Sequence, residues 1–312
     1  MTDIVTLTLN PSLDLSTSVS RLKPDHKLRC EEPRRDPGGG GVNVARVISR
    51  LGGDVTAVYP AGGPSGAMLE RLLRAEGVAS HVVLTHRPTR ENFHVFEEET
   101  KQQYRFILPG PLLSQSAWQR CRSAAISGSR TSKFLVCSGS LPPGAPEDAY
   151  ARLARLAKRT GTQLIIDSSG PPLRAALREG VYLVKPSLSE LSQLIGRKLE
   201  TEASWIEVCR ELIAIGAAHI IALTLGYRGA LLVTRETALR AEAIQILVKT
   251  TIGAGDSFLA TLVWSLMNER PIADALSLAV AAGASALLGP GTRLCLQEDI
   301  ERLAPQVRIE VR

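Results

Sequence analysis

"KTTIGAGDSFLATLVWSLMNE" at residues 249–269 sets two glycines, an alanine and an aspartate directly ahead of a long apolar run. Glycines bare their backbone N–H groups, and the first turn of a helix leaves such donors without intrahelical acceptors and partly positive. A glycine turn feeding a helix therefore makes an anion pocket, and Asp256 places a carboxylate beside it. Phosphoryl transfer needs both parts: donors for charge on the moving group and a base for the attacking hydroxyl. Gly and Asp are also ordinary helix starters, so this stretch alone leaves a plain cap standing as an alternative. It lacks the GK[ST] ending of a nucleotide-binding P-loop.

Outward from this junction, apolar β-rich runs alternate with helical patterns. Strands are expected within 4–9, 55–61, 134–140, 163–169, 181–187, 219–226 and 230–234, and helices over 147–161, 204–216 and 255–269. Several strand runs are apolar throughout, as in parallel strands covered on both faces. The order predicts one α/β domain over residues 1–312, a doubly wound, mostly parallel sheet with helices on both sides. Two regions break the rhythm. Residues 13–36 hold short polar or β-like pieces, and "PTRENFHVFEEETKQQYRFIL" (88–108) reads as two strands around a polar turn. Together they predict a small four-stranded antiparallel sheet, a lid or a dimerisation surface.

Composition narrows the class. Of 312 residues, 44% are hydrophobic and 22% charged, an ordinary globular balance, and the net charge is +6. Lys and Arg are scattered and aromatics reach only 4%, which argues against nucleic acid and suits anionic small molecules. The apolar stretch 275–289 is too short to span a bilayer and reads as a buried helix, so no membrane is expected. Five scattered cysteines without metal-type spacing, and a start that alternates like a strand, predict reduced thiols and a cytoplasmic protein.

A second glycine cluster, "PGGGGVNVARVISRLGG" (37–53), runs through Asn43 into an amphipathic pattern, so backbone closes around a polar ligand there too. The polar, proline-bearing stretch before it does not fit a dinucleotide fingerprint. Asp14 follows the first strand's carboxyl end, where open α/β sheets bind ligands. A short carboxylate there takes two sugar hydroxyls or simply stabilises a turn. Arg90 and Arg105 lie on the two arms of the expected hairpin, either as surface arginines or as a bidentate phosphate grip. Lys185 and Glu190 come at another strand end, with Pro186 marking the turn.

In order along the chain, "TLTLNPSLD", "HKLRC", "PGGGGVNVAR", "YPAGG", "TRENFHV", "QYRFILPG", "CSGSLPPG", "IIDSSG", "LVKPS", "TTIGAGDSFLATLVW" and "GPGTRLC" resemble segments of the PfkB (ribokinase-like) family of carbohydrate kinases, its phosphofructokinase members above all. The likeness covers essentially the whole chain. It implies a ribokinase-like Rossmann-type sandwich with a four-stranded β lid that also forms a homodimer interface. The implied reaction is ATP- and Mg²⁺-dependent phosphorylation of fructose 6-phosphate at its 1-hydroxyl. By the same likeness Asp256 is the base, and the N–H groups of Gly253, Ala254 and Gly255 form the anion hole. Asp14, Gly39 and Asn43 hold the sugar, and Arg90, Arg105 and Ser140 hold its phosphate or neighbouring hydroxyls, with Lys27 reaching in from the partner subunit. Lys185, Ser187, Thr224, Gly226 and Gly229 line the nucleotide, and Glu190 places Mg²⁺ through water. A K⁺ ion is implied beside the anion hole, held by backbone at Thr250, Ile252, Ala286, Gly289 and Gly291, near Arg293.

One departure stands out. The family pattern after "KP" is Asn-x-x-Glu, whereas this chain has Ser187-Leu188-Ser189-Glu190. A hydroxyl is shorter than a carboxamide and offers a different donor set, so altered Mg²⁺–ATP handling is expected rather than lost activity. Within the family, 1-phosphofructokinase and tagatose-6-phosphate kinase are alternatives. A non-catalytic sugar-phosphate regulator is an alternative of another class.

Overall fold

A computed structural model of the chain describes residues 2–289, 291 and 293–312. The apolar runs become strands and the patterned stretches helices. In the first part these are β1 (Ile4–Leu7), β2 (Ser12–Val19), β3 (Arg34–Gly38), α1 (Gly40–Arg50), β4 (Val55–Ala61), α2 (Gly63–Ala75), β5 (Ala79–Leu84), β6 (Arg90–Glu97) and β7 (Gln103–Phe106). The middle runs α3 (Gln115–Ser129), β8 (Phe134–Ser138), α4 (Ala149–Thr160), β9 (Gln163–Asp167), α5 (Gly170–Glu179), β10 (Val181–Val184), α6 (Leu188–Ile195) and α7 (Glu202–Ala214). The chain ends with β11 (Ala218–Thr224), β12 (Ala230–Val233), β13 (Ala238–Ala241), α8 (Ala254–Met267), α9 (Ile272–Leu287), α10 (Gln297–Leu303) and β14 (Ile309–Val311).

Ten strands form one sheet in the order β14-β13-β12-β11-β10-β9-β8-β1-β4-β5. From β5 across to β11 every pairing is parallel. The last three strands add antiparallel: the links 225–229 and 234–237 are too short for crossovers, so β12 and β13 turn back on their neighbours, and β14 joins the edge after the last helices. Each face is covered by its own apolar core. Ile48 of α1, Leu73 of α2, Leu262 of α8 and Leu276 of α9 pack on one side. Trp118 of α3, Leu153 of α4 and Val208 of α7 pack on the other. The expected buried helix at 275–289 is α9, rich in Ala and packed closely on α8. No helix among the described residues is long and apolar enough to cross a membrane. All five cysteines are unpaired, four of them buried.

The four lid strands stand in the order β3-β2-β6-β7, and here the structure corrects an expectation. The sheet is mixed rather than antiparallel: β2 and β6 run parallel, and only the outer pairs are antiparallel. The reason lies in the core. The parallel strands β1 and β5 both lead out at the same end of the large sheet, and their continuations β2 and β6 keep that direction. Register puts Asp14 beside Asn92, and His94 beside Arg105, on one face of the lid. Leu15, Phe93 and Phe106 are aligned on the other.

Candidate active site

Strand β1 lies between β4 and β8, so the chain winds away from it in both directions. Beyond the carboxyl ends at such a switch point lies the crevice where open α/β sheets take ligands. The residues after β1, the glycine cluster before α1 and the end of β8 converge there. A Cβ on Gly40 would lie 2.2 Å from Ser138 Oγ of β8, so the glycine loop presses directly onto that strand end.

Asp14 is the buried acid on the lid side of the crevice. Its Oδ1 accepts from Ser12 Oγ at 2.7 Å and Asn92 Nδ2 at 2.9 Å, and His94 Nε2 lies 3.8 Å from Oδ2. Burial works against the charge, but His94, Ser12 and Asn92 outweigh it and hold the carboxyl below its usual range. Gly38 passes so close that a Cβ there would meet the Asp14 carboxylate at 2.5 Å, while Gly39 takes a φ of 107° that side chains resist. The four glycines are thus a close approach of backbone to the crevice, not a linker.

Across from Asp14 stands the start of α8. Gly253 is its cap in the left-handed region. The first intrahelical bond runs from Ser257 N to Gly253 O at 2.8 Å, which leaves the amides of residues 254–256 free of helical acceptors. Asp256 is the third helical residue, and Asn43 Nδ2 from α1 donates to its Oδ2 at 2.8 Å. Burial, then the negative charge of Asp167, push its pKa up to about 6; Asn43 and Lys185 pull against them, and Asp14 adds a smaller upward push. Lys185, itself buried, pairs with Asp167 at 3.0 Å. Burial favours its neutral form, but Asp167, with Glu190 and Asp256 beyond, keeps it an ammonium. Its Nζ lies 3.6 Å from where a Gly255 Cβ would be, so the cation rests against the helix start.

The residues expected to line a nucleotide gather at the other end of the crevice. A cavity of about 520 Å³ reaches from Ser187, Thr224, Gly226 and Gly229 to Ala254 and Gly255. Ser187 caps α6: its Oγ accepts from Glu190 N at 3.2 Å, and its own N–H donates to Glu190 Oε2 at 2.7 Å. Thr224 N donates to Pro186 O at 2.9 Å and joins the two loops. Gly229, at φ 93°, turns β11 into β12 where a Cβ would strike Ala241 O. Among the described residues no group of three or more His, Cys, Asp or Glu closes a metal cage. Glu190 and Asp167 each spend part of their acceptor capacity on Ser187 and Lys185, and the rest fits an ion that keeps waters and bridges through phosphates.

A second cavity, about 680 Å³, lies under the lid and is lined by Ser16, Arg34, His94, Arg105, Ile252 and Gly291, among others. Ser16 Oγ and both ring nitrogens of His94 are buried there without a hydrogen bond, Nε2 having only the looser 3.8 Å approach to Asp14. Arg105 points inward and contacts Thr251. Arg90 is not beside it. Its guanidinium donates to the carbonyls of Asn10 at 2.9 Å, Leu108 at 3.1 Å and Pro11 at 3.4 Å, so it clamps the lid's root. Exposed Ser140 accepts from Asn10 Nδ2 at 3.0 Å at the same root. Lys27 is exposed between β2 and β3, and among the described residues nothing ties it to its own crevice. For the monovalent-cation positions, Lys249 and Thr250 donate to Leu287 O, and Gly291 abuts Ser16. Thr250, Ile252 and the end of α9, with Ala286, are therefore neighbours, and Gly289 packs on Arg293.

Sequence reasoning missed Asp167, His94 and Arg34. Asp167 closes the apolar strand β9, the signal that had singled out Asp14.

A base-like acid at a glycine-capped helix, facing a second glycine loop and an arginine-bearing lid, is matched over residues 2–299 by the model for pfkB family carbohydrate kinases. The chain belongs to this family. This pfkB kinase is 42% identical to the ATP-dependent 6-phosphofructokinase isozyme 2 of Mycobacterium tuberculosis, over 96% of its own chain and 88% of that protein. It is 38% identical to the Escherichia coli protein of the same name, over 97% and 98%. Solved structures of phosphofructokinase-2 from Escherichia coli match with TM-scores of 0.92 in complex with fructose-6-phosphate and 0.94 in complex with potassium, at 37% and 38% identity, each covering 98% of this chain and 99% of that one. Differently named pfkB relatives also match: a 1-phosphofructokinase of Xanthomonas campestris is 33% identical over 85% of this chain and 84% of that one.

Proposed function

We propose that this pfkB kinase transfers the γ-phosphoryl group of ATP to the 1-hydroxyl of fructose 6-phosphate. The observation that carries the reading is Asp256, a carboxylate with a pKa near 6 at the head of α8, beside free helix amides and between the lid and nucleotide cavities. Asp14, Gly39 and Asn43 bind the sugar hydroxyls. Asp256 takes the proton as the 1-hydroxyl attacks, and the amides of Gly253, Ala254 and Gly255 with Lys185 receive charge on the transferred group. Ser16 and His94, which lack hydrogen bonds, together with the guanidinium groups of Arg34 and Arg105 offer the sugar's existing phosphate a cavity rich in donors; Arg90 shapes its wall, and Ser140 and a partner subunit's Lys27 complete it. Thr224, Gly226 and Gly229 line the nucleotide, Ser187 fixes the loop beside it, and Glu190 and Asp167 hold Mg²⁺, which when bound neutralises phosphate charge. Backbone at Thr250, Ile252, Ala286, Gly289 and Gly291 cradles K⁺ next to the anion hole.

Removing a positioned base costs about 10²–10⁴-fold in rate. Asp256→Asn is expected to lose kcat in that range while calorimetry still finds sugar-phosphate binding; near-parent turnover would sink the assignment. An ADP-release assay over fructose 6-phosphate, fructose 1-phosphate, tagatose 6-phosphate and fructose, with and without K⁺, tests substrate and cation together. Highest kcat/KM on any other sugar defeats the substrate reading, and equal rates without K⁺ defeat the cation.

A further inference from the structure

Arg46 is almost fully buried on α1, 1% exposed, in a helix whose neighbours there are Val44, Ala45 and Val47. Its donors divide between two tasks. Nε and Nη2 hold Glu76, the residue capping α2, at 2.9 and 2.6 Å, and Arg50 adds a contact to the same carboxylate at 3.0 Å. Nη1 turns toward the crevice instead, donating to Pro37 O at 2.9 Å and Asn43 Oδ1 at 3.3 Å. A carboxamide has one oxygen and one NH₂. With its oxygen facing Arg46, Asn43 has its NH₂ facing Asp256, where Nδ2 donates at 2.8 Å. Donation thus runs outward from Arg46, to Glu76 on one side and through Asn43 to Asp256 on the other.

We propose that Arg46 is a positioning residue for phosphoryl transfer: anchored by Glu76, it fixes the Asn43 amide so that its N–H, not its carbonyl, faces the Asp256 carboxylate. The inference rests on Asp256 being the base. Arg46, at 1% exposure, has no surface left for a substrate, and a flipped Asn43 would set a carbonyl oxygen against an anion. The groups facing Asp256 are Asn43 from α1, Asp167 at the end of β9, Lys185 after β10 and Asp14 from the lid. Those facing Arg46 are Glu76 from α2, Asn43 on its own helix and the Pro37 carbonyl.

The test is the pH profile of kcat for Arg46→Lys, whose single ammonium cannot serve both Glu76 and Asn43, and for Arg46→Gln paired with Glu76→Gln, which leaves no unpaired carboxylate. Losing a hydrogen bond to a charged group implies about a tenfold fall in kcat near neutrality. The same loss moves the acid limb upward by about one pH unit. In an Asn43→Ala background, Arg46→Lys should move the limb no further. A cooperatively melting variant with the parent's limb overturns the proposal, as does an added shift in that background. Asp256→Asn run alongside separates the failures. If it keeps turnover, the base assignment falls; if it is inactive while both Arg46 variants keep the parent's limb, only the positioning role falls.

Discussion

Asp256 is costly to the fold for the reason that makes it useful. The carboxyl ionises near 3.8 when free in water and at about 6 in the folded protein. Between those values the unfolded chain releases a proton that the native chain retains, so stability from this residue falls as pH rises through that window and stays lower above it. Asp256→Asn removes the penalty and keeps an acceptor for Asn43. It is expected to melt above the parent at about pH 8, with the gap closing at about pH 4. A parent that melts higher at the alkaline end would show that the charge is fully compensated. At this scale the sequence was legible wherever a residue sits inside a local pattern. Asp256 and Asn43 follow glycine turns, and Asp14 follows a strand. Arg46 and His94 had no such signal, because their partners Glu76 and Asp14 lie far along the chain and periodicity reports only near neighbours.

Among the elements, α6 changes how Ser187 is understood. Its hydroxyl is turned into its own helix, in a reciprocal cap with Glu190. Such a cap is worth about 1 kcal/mol, and Asn caps as well as Ser. Ser187→Asn should therefore leave the melting temperature close to the parent's while changing the Mg²⁺ dependence of turnover, since a longer carboxamide reaches into the nucleotide cavity. Superimposable Mg²⁺ titrations would reduce Ser187 to a cap. Strand β4, read as 55–61, is found over those residues because an apolar run between glycines has few other uses. Helix α3 escaped notice: Ser, Arg and Gly interrupt its apolar face, and it is held by Trp118 and Cys121 against the sheet. The lid's pairing was beyond local reading as well, since β2 and β6 meet only once both have left the core.

For the whole molecule, the lid's outer face is the conspicuous surface. Phe93 and Phe106 are cross-strand neighbours and stay 39% and 49% exposed, with Ile107 and Leu108 beside them. Contiguous apolar surface of this kind marks an interaction site, and the homodimer that the family resemblance implies would use it. Phe93→Glu with Phe106→Glu is expected to shift the protein to monomer in sedimentation, and to lower activity if Lys27 acts on the partner's crevice. An unchanged sedimentation coefficient would place the interface elsewhere.

The lid also holds the other side of the molecule. Gln103 Nε2 donates to Lys249 O at 2.7 Å, and Arg105 contacts Thr251, a short step ahead of Gly253. The strand that roofs the lid cavity is thus moored to the approach of the glycine turn that opens α8. An anion drawing Arg105 toward itself loosens one mooring while Gln103 keeps the other. On the proposed function, filling the cavity under the roof would reach the turn through these two moorings, so the order in which the two substrates arrive would carry a mechanical component as well as a chemical one.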